Sequence, residues 1–167
     1  MIRKSRKSLV IVLIMIILLS QSIRAQEVKK EGESFLVLQT SVRTHHWNRN
    51  PDRNNDQGLI GLEYHRSRSD LYGLAHFENS YYQPTWYFYT GSLYDIKEFS
   101  RLNLYGKLTY GIITGYDDED GEHRAVINRL GTFPAILPTL GIEYNNYAFE
   151  VSFFGNSGYI ANIGIRF

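Results

Sequence analysis

Four residues in this sequence are placed to do chemistry together. His45 and His46 end one stretch of alternating apolar and polar residues, and Asn79 and Ser80 end another. A serine hydroxyl serves as an acyl-transfer nucleophile or proton relay when a base lies within hydrogen-bond reach, and imidazole is the most common such base. His46, His45, Asn79 and Ser80 are therefore the candidate catalytic residues. The adjacent histidines pose a choice, because neighbours in a strand point to opposite faces. Strict alternation sends His45 inward and His46 outward. A bulge or an early exit from the ladder reverses that assignment, and His46, which adjoins Trp47, is placed first. The same parity separates the two rings as metal ligands. With no cysteine in the chain, a thiolate metal site, a cysteine nucleophile and a disulfide scaffold are excluded. No metal or cofactor is expected.

The elements that must position these residues read as strands. Period-two alternation recurs along the chain, and no stretch after the first segment shows helical periodicity over a useful length. Leu102, Leu104, Leu108, Tyr110 and Ile112 oppose Asn103, Tyr105, Lys107 and Thr109, while Phe149, Val151 and Phe153 oppose Glu150 and Ser152. Such runs predict eight strands, at about 35–46, 58–66, 71–79, 85–95, 102–116, 135–145, 148–154 and 159–167. Long connections at 47–57, 80–84, 117–134 and 155–158 alternate with short turns. An even strand count with long loops at one end predicts an all-β fold, an eight-stranded antiparallel up-and-down transmembrane barrel of the outer-membrane kind. The other barrel that alternates in this way is a secreted, soluble, lipocalin-like one.

Aromatic residues support the membrane reading. Trp47, Tyr81, Tyr82, Trp86 and Tyr116 gather at the long-loop ends and Phe99, Tyr144, Tyr147 and Phe167 at the other, as two interfacial girdles would require. An apolar lipid face leaves the polar parity for the lumen. By strict alternation that set holds Gln39, Ser41, Arg43, His45, Glu63, His65, His76, Glu78, Lys107, Glu143, Glu150 and Arg166. Eight strands leave an interior barely wide enough for side chains, so a salt-bridged plug is expected and an open pore is disfavoured. Pro134 and Pro138 cannot donate to a ladder. They mark either a strand start with a bulge or a weak place in the wall where a lipid tail enters sideways.

Charge and targeting complete the outline. Residues 1–25 carry five basic residues and no acidic one, leaving 13 basic against 17 acidic residues in the remainder. An acidic remainder argues against nucleic acid as a partner. The uninterrupted apolar run from Leu9 to Leu19 is too short to cross a bilayer as a helix. With the basic residues before it and Ala25 after it, residues 1–25 read as a cleaved signal peptide. Residues 26–34 then form a short charged leader and 35–167 the barrel, monomeric and in the outer membrane. The partners expected are membrane lipids.

Three segments resemble the lipid A palmitoyltransferase family of eight-stranded outer-membrane enzymes. They are Asp52-Arg53-Asn54-Asn55 followed by the glycine-bearing run from Gly58 to Leu62, Phe77-Glu78-Asn79-Ser80, and the proline-bracketed run from Phe133 to Leu140 leading to Gly141 and Tyr144. The C-terminal Arg166-Phe167 also fits. The resemblance implies transfer of an acyl chain from a phospholipid to lipid A at the outer rim, with Ser80 on the family's catalytic serine. This chain departs from the family pattern in four ways. Asn79 stands where the family has aspartate. The family's histidine falls opposite Ser41 in an ungapped alignment, four and five residues before His45 and His46. The family's N-terminal amphipathic helix is missing. Finally, strict parity puts Arg43, His45, His76 and Glu78 in the upper lumen, where an acyl pocket must be apolar. The alternative function is a non-catalytic small barrel with a structural or loop-mediated binding role.

Overall fold

Alternation along each strand has its counterpart in a sheet that closes on itself. In the computed structural model, which describes residues 34–48, 52–117 and 128–167, eight strands pair antiparallel in chain order and the first pairs with the last. They are β1 (Phe35–His46), β2 (Ile60–Ser67), β3 (Asp70–Glu78), β4 (Pro84–Phe99), β5 (Leu102–Thr114), β6 (Thr132–Tyr144), β7 (Tyr147–Phe153) and β8 (Gly158–Arg166). Each expected strand is present. β4 runs on to Phe99 through a bulge between Asp95 and Lys97, and β6 starts ahead of Pro134. The expected signal segment, 1–25, and the leader up to residue 33 lie outside the described residues.

The wall is inverted relative to a soluble barrel. Leu108, Tyr110 and Ile112 of β5, Ile136, Leu140 and Ile142 of β6, and Phe149 of β7 are exposed, whereas Tyr105, Lys107, Thr109 and Glu150 on the opposite parity are buried. Apolar surface on this scale suits hydrocarbon and not water. Phe99, Tyr144, Tyr147 and Phe167 ring the short-turn end, and Trp47, Tyr82 and Trp86 the long-loop end. Tyr81 and Tyr116, expected in the second girdle, instead turn into a cavity inside the barrel. Leu108→Arg, near the middle of the apolar band, is expected to destabilise the barrel by about 2–4 kcal/mol. Leu104→Arg, two residues from the start of β5 and close to the aromatic ring, should cost less because the charge can reach the interface. Urea titration of the barrel refolded into vesicles checks the order.

The lower lumen is closed by the polar plug that parity requires. Lys107 Nζ donates to Glu63 Oε1 at 2.8 Å and to Glu150 Oε2 at 2.6 Å. The Tyr89 hydroxyl donates to Glu63 at 2.9 Å and the Tyr105 hydroxyl to Glu150 at 2.7 Å. His65 Nε2 lies 2.8 Å from the other oxygen of Glu63. Nearer the short turns, Arg68 donates to Glu143 and Asp95 at 2.9 and 2.6 Å. Opposite charges that satisfy one another in this way leave no open channel through the lower half.

Candidate functional site

The site is built at the long-loop end by one extra residue in β1. β1 pairs with β8 in register through Ser41, opposite Asn162, and resumes with Arg43 opposite Ala161, so Val42 is the bulged residue. A bulge shifts the parity of everything beyond it. His46 consequently faces the lumen, only 4% exposed, and His45 faces outward onto Trp47 and Tyr159, with ring centroids 5.5 and 5.3 Å away. The bulge is tied down by the chain ahead of β2: the Ser41 hydroxyl accepts from Leu59 N at 2.9 Å and the Thr40 hydroxyl donates to Leu59 O at 2.7 Å.

Ser80 is delivered by a turn that Asn79 organises. Asn79 is fully buried. Its Oδ1 accepts from the backbone N–H of Tyr81 at 2.8 Å and of Gln83 at 3.2 Å, and its Nδ2 donates to Gln83 Oε1 at 3.0 Å. Asparagine favours such local bonding, which replaces the ladder where β3 ends. Tyr82, with φ of 62°, takes the left-handed position in the same turn. β1 and β3 are not paired strands, yet their outer ends meet because β2 starts only at Ile60. Residues 54–57 fill the gap: Thr44 N donates to Asn55 O, Asn54 N to Ser80 O and Glu78 N to Gln57 O, at 3.2, 3.0 and 2.9 Å. His46 Nε2 and Ser80 Oγ come to 2.6 Å. With the ring proton on Nδ1, Nε2 accepts from the serine hydroxyl, the arrangement a general base needs. His46 Nδ1 has no hydrogen-bond partner among the described residues. Asn79 makes no bond to His46, so among the described residues the geometry is a dyad.

Below the dyad lies a cavity of about 350 Å³, within the range of small-molecule sites. Leu59, Phe77, Ile113, Phe133, Leu137 and Ile160 line it, with Arg53, His46 and Ser80 among its polar contributors. Tyr87 separates it from the plug, donating to Thr109 Oγ1 at 3.2 Å and stacking on Tyr89 with centroids 4.5 Å apart. The upper lumen is thus apolar, contrary to the strict-parity expectation. Arg43 is turned out by the bulge. In β3 the inward positions fall to Leu71, Gly73, Ala75 and Phe77, so His76 packs outside on Trp86, 4.5 Å between centroids, and Glu78 is exposed.

The wall beside the cavity is incomplete. β5 pairs with β6 from Thr132 to Tyr144, but β6 pairs with β7 only from Thr139, opposite Ser152. A continuous ladder on the β5 side puts the missing donors of Pro134 and Pro138 on the other edge, and residues 132–138 have no β7 partner. Both prolines therefore lie within a strand, with one edge open beside the cavity. Gln83 was not among the residues the sequence pointed to; Arg53 entered only through the segment resembling the family, and the bulge only as one way to turn His46 inward. Gln83 links the β3–β4 turn to Asp117, donating from Nε2 to its backbone O at 2.7 Å and accepting from its N at 3.0 Å.

Asn79→Asp is expected to keep the turn, since a carboxylate still accepts both backbone N–H groups, and to lose the bond to Gln83 Oε1, because the Gln83 amide is held in its orientation by Asp117. It should not raise activity, because the new charge is held by the turn and away from His46 Nδ1. A pH–rate profile unchanged from that of the unsubstituted protein checks this, and a marked rise in rate would show that the acid reaches the histidine.

No protein-family model matches this chain, and no curated protein sequence does. A solved structure of Ail, the attachment invasion locus protein of Yersinia pestis, in complex with the heparin analogue sucrose octasulfate, is similar at 16% identity and a TM-score of 0.37. The match covers 83% of this chain and 100% of that one. The eight-stranded antiparallel barrel stands on this chain's own closed ladder.

Proposed function

We propose that this protein is an outer-membrane acyltransferase that moves an acyl chain from a phospholipid to lipid A. The observation that carries the reading is the 2.6 Å contact between His46 Nε2 and Ser80 Oγ over an apolar cavity of about 350 Å³. The acyl chain lies in the cavity and reaches it through the open edge of β6. Ser80 Oγ bonds to the ester carbonyl carbon as its proton passes to His46 Nε2. The glycerol oxygen leaves and takes that proton. A lipid A hydroxyl then attacks the serine ester, giving its proton to Nε2, and Oγ leaves and takes it back. Residues 1–25 are removed on export, 26–34 form a leader, and the barrel works as a monomer whose partners are membrane lipids.

A second reading has one observation in its favour. His46 Nδ1, without a partner among the described residues and with asparagine and not an acid at position 79, suits a barrel that has kept the scaffold and serves a structural or loop-binding role. Mass spectrometry of lipid A from cells with and without the protein separates the two. An added acyl chain is expected only in its presence. Identical lipid A, with the protein abundant in the outer membrane and showing heat-modifiable migration, overturns the enzyme and leaves the non-catalytic barrel.

A further inference from the structure

The bulge that turns His46 inward also builds a surface on the opposite side of the wall. Arg43, His45 and, just past the strand, Trp47 stand in one outward row, with Tyr159 of β8 opposite His45. The three rings contact one another, since Trp47 and Tyr159 centroids are 5.4 Å apart and His45 meets both. Trp47 is half exposed and Arg43 exposed. Among the described residues, Arg43 is the only lysine or arginine at an outward strand position in the long-loop half of the barrel, and it forms no ion pair with any of them.

An unpaired guanidinium on the lipid face is unfavourable unless it reaches a polar partner at the interface. Arg43 is four residues below Trp47, on the order of 13 Å of strand, and a side chain of its length can carry the charge up toward the ring cluster. A planar guanidinium suits the oxygens of a phosphate. The aromatic rings beside it offer an apolar body at the depth where lipid headgroups begin.

We propose that Arg43, His45, Trp47 and Tyr159 form an external docking site for lipid A, Arg43 taking a phosphate and the Trp47–Tyr159 pair lying against the adjoining sugar. This deepens the acyltransferase reading and rests on it for the outer leaflet and the identity of the acceptor. His45 and His46 are consecutive residues on opposite sides of one strand, so a lipid held on this row stands at the rim beside the dyad.

The test reads binding without turnover. Trp86→Phe leaves Trp47 the only tryptophan of two, and its fluorescence in detergent micelles is titrated with bisphosphorylated lipid A, with the same lipid after phosphate removal, and with phosphatidylglycerol. Bisphosphorylated lipid A is expected to change the signal saturably. Arg43→Gln, which removes a charge from the lipid face and so should not impair folding, is expected to weaken binding at least about tenfold, as the loss of one charged hydrogen-bond pair implies. Arg43→Lys should weaken it less. Dephosphorylated lipid A should bind the unsubstituted arginine no better than the phosphorylated form binds Arg43→Gln. Equal binding of both lipid A forms, or indifference to Arg43→Gln, overturns the site. Arg43-dependent binding of phosphatidylglycerol as tight as that of lipid A also overturns it, making the row a phospholipid site. Arg43-dependent binding with no Ser80-dependent transfer refutes the enzyme alone, and transfer without Arg43-dependent binding refutes this site alone.

Discussion

Ser80→Ala will leave lipid A without its added acyl chain while the protein still migrates as a folded barrel. The hydroxyl makes its side-chain contact with His46, not with the ladder, so its loss removes the proposed nucleophile and spares the wall. His46→Ala removes the proposed base and is expected to lower the transfer rate by about 10²–10⁴-fold, the usual contribution of general acid–base catalysis. His46→Gln fills the buried space under Phe154 and should be equally inactive, which separates chemistry from packing. His45→Ala should have a far smaller effect on the chemical step, because that ring packs outside on Trp47 and Tyr159. Lipid A mass spectra of cells carrying each variant at matched membrane levels decide the matter. Full activity in Ser80→Ala would remove this dyad from the mechanism.

Lys107→Met is expected to cost stability on the order of 3–5 kcal/mol, the largest effect of any single change in the plug. Lys107 is 5% exposed, and its ammonium sits between two carboxylates, Glu63 and Glu150. Replacing it with an apolar chain of similar length leaves those two buried acids facing each other with no cation between them. The hydroxyls of Tyr89 and Tyr105 still donate to them and His65 still meets Glu63, but none of these replaces the ammonium that lay between the two carboxylates. Removing the acids as well, in Lys107→Met with Glu63→Gln and Glu150→Gln, should recover much of the loss, since a neutral buried group that keeps a hydrogen bond is far less costly than an unpaired ion. Urea unfolding in vesicles measures both variants. A wild-type midpoint for Lys107→Met would mean that the Lys107 ion pairs contribute nothing to stability.

The barrel was legible because its cause is local. Lipid on one face and a narrow polar interior on the other impose period-two alternation on every strand, and β5, β7 and β8 carry it with few exceptions. Loop length, aromatic ends and the Glu63, Lys107 and Glu150 plug follow from the same constraint, residue by residue. The histidine was not decided by it. Strict alternation favours His45, and nothing in Ser41-Val42-Arg43 marks the inserted residue that reverses the parity beyond it. His76 and Glu78 misled for a different reason, since β3 carries no bulge there. They are polar residues on the outward parity of β3, near the interface where Trp86 accompanies His76, and polarity alone cannot tell rim from lumen. Asn79 and Ser80 could be named from the chain, but that Asn79 shapes a turn and does not orient the base depends on Gln83, four residues on, and on where the turn lies.

By itself, then, the sequence determined the closed antiparallel barrel, its apolar exterior and its charged lower core, since each follows from side-chain period and loop length. Only the tertiary structure decided which histidine meets Ser80, that the upper lumen is an apolar cavity, and that β6 has an open edge. These depend on one bulge, on β2 stopping short, and on ladders that end at different heights. The bulge and the late start of β2 add or omit single backbone pairings without altering the residue pattern around them, and the two prolines of β6 mark its open edge only as one of two readings.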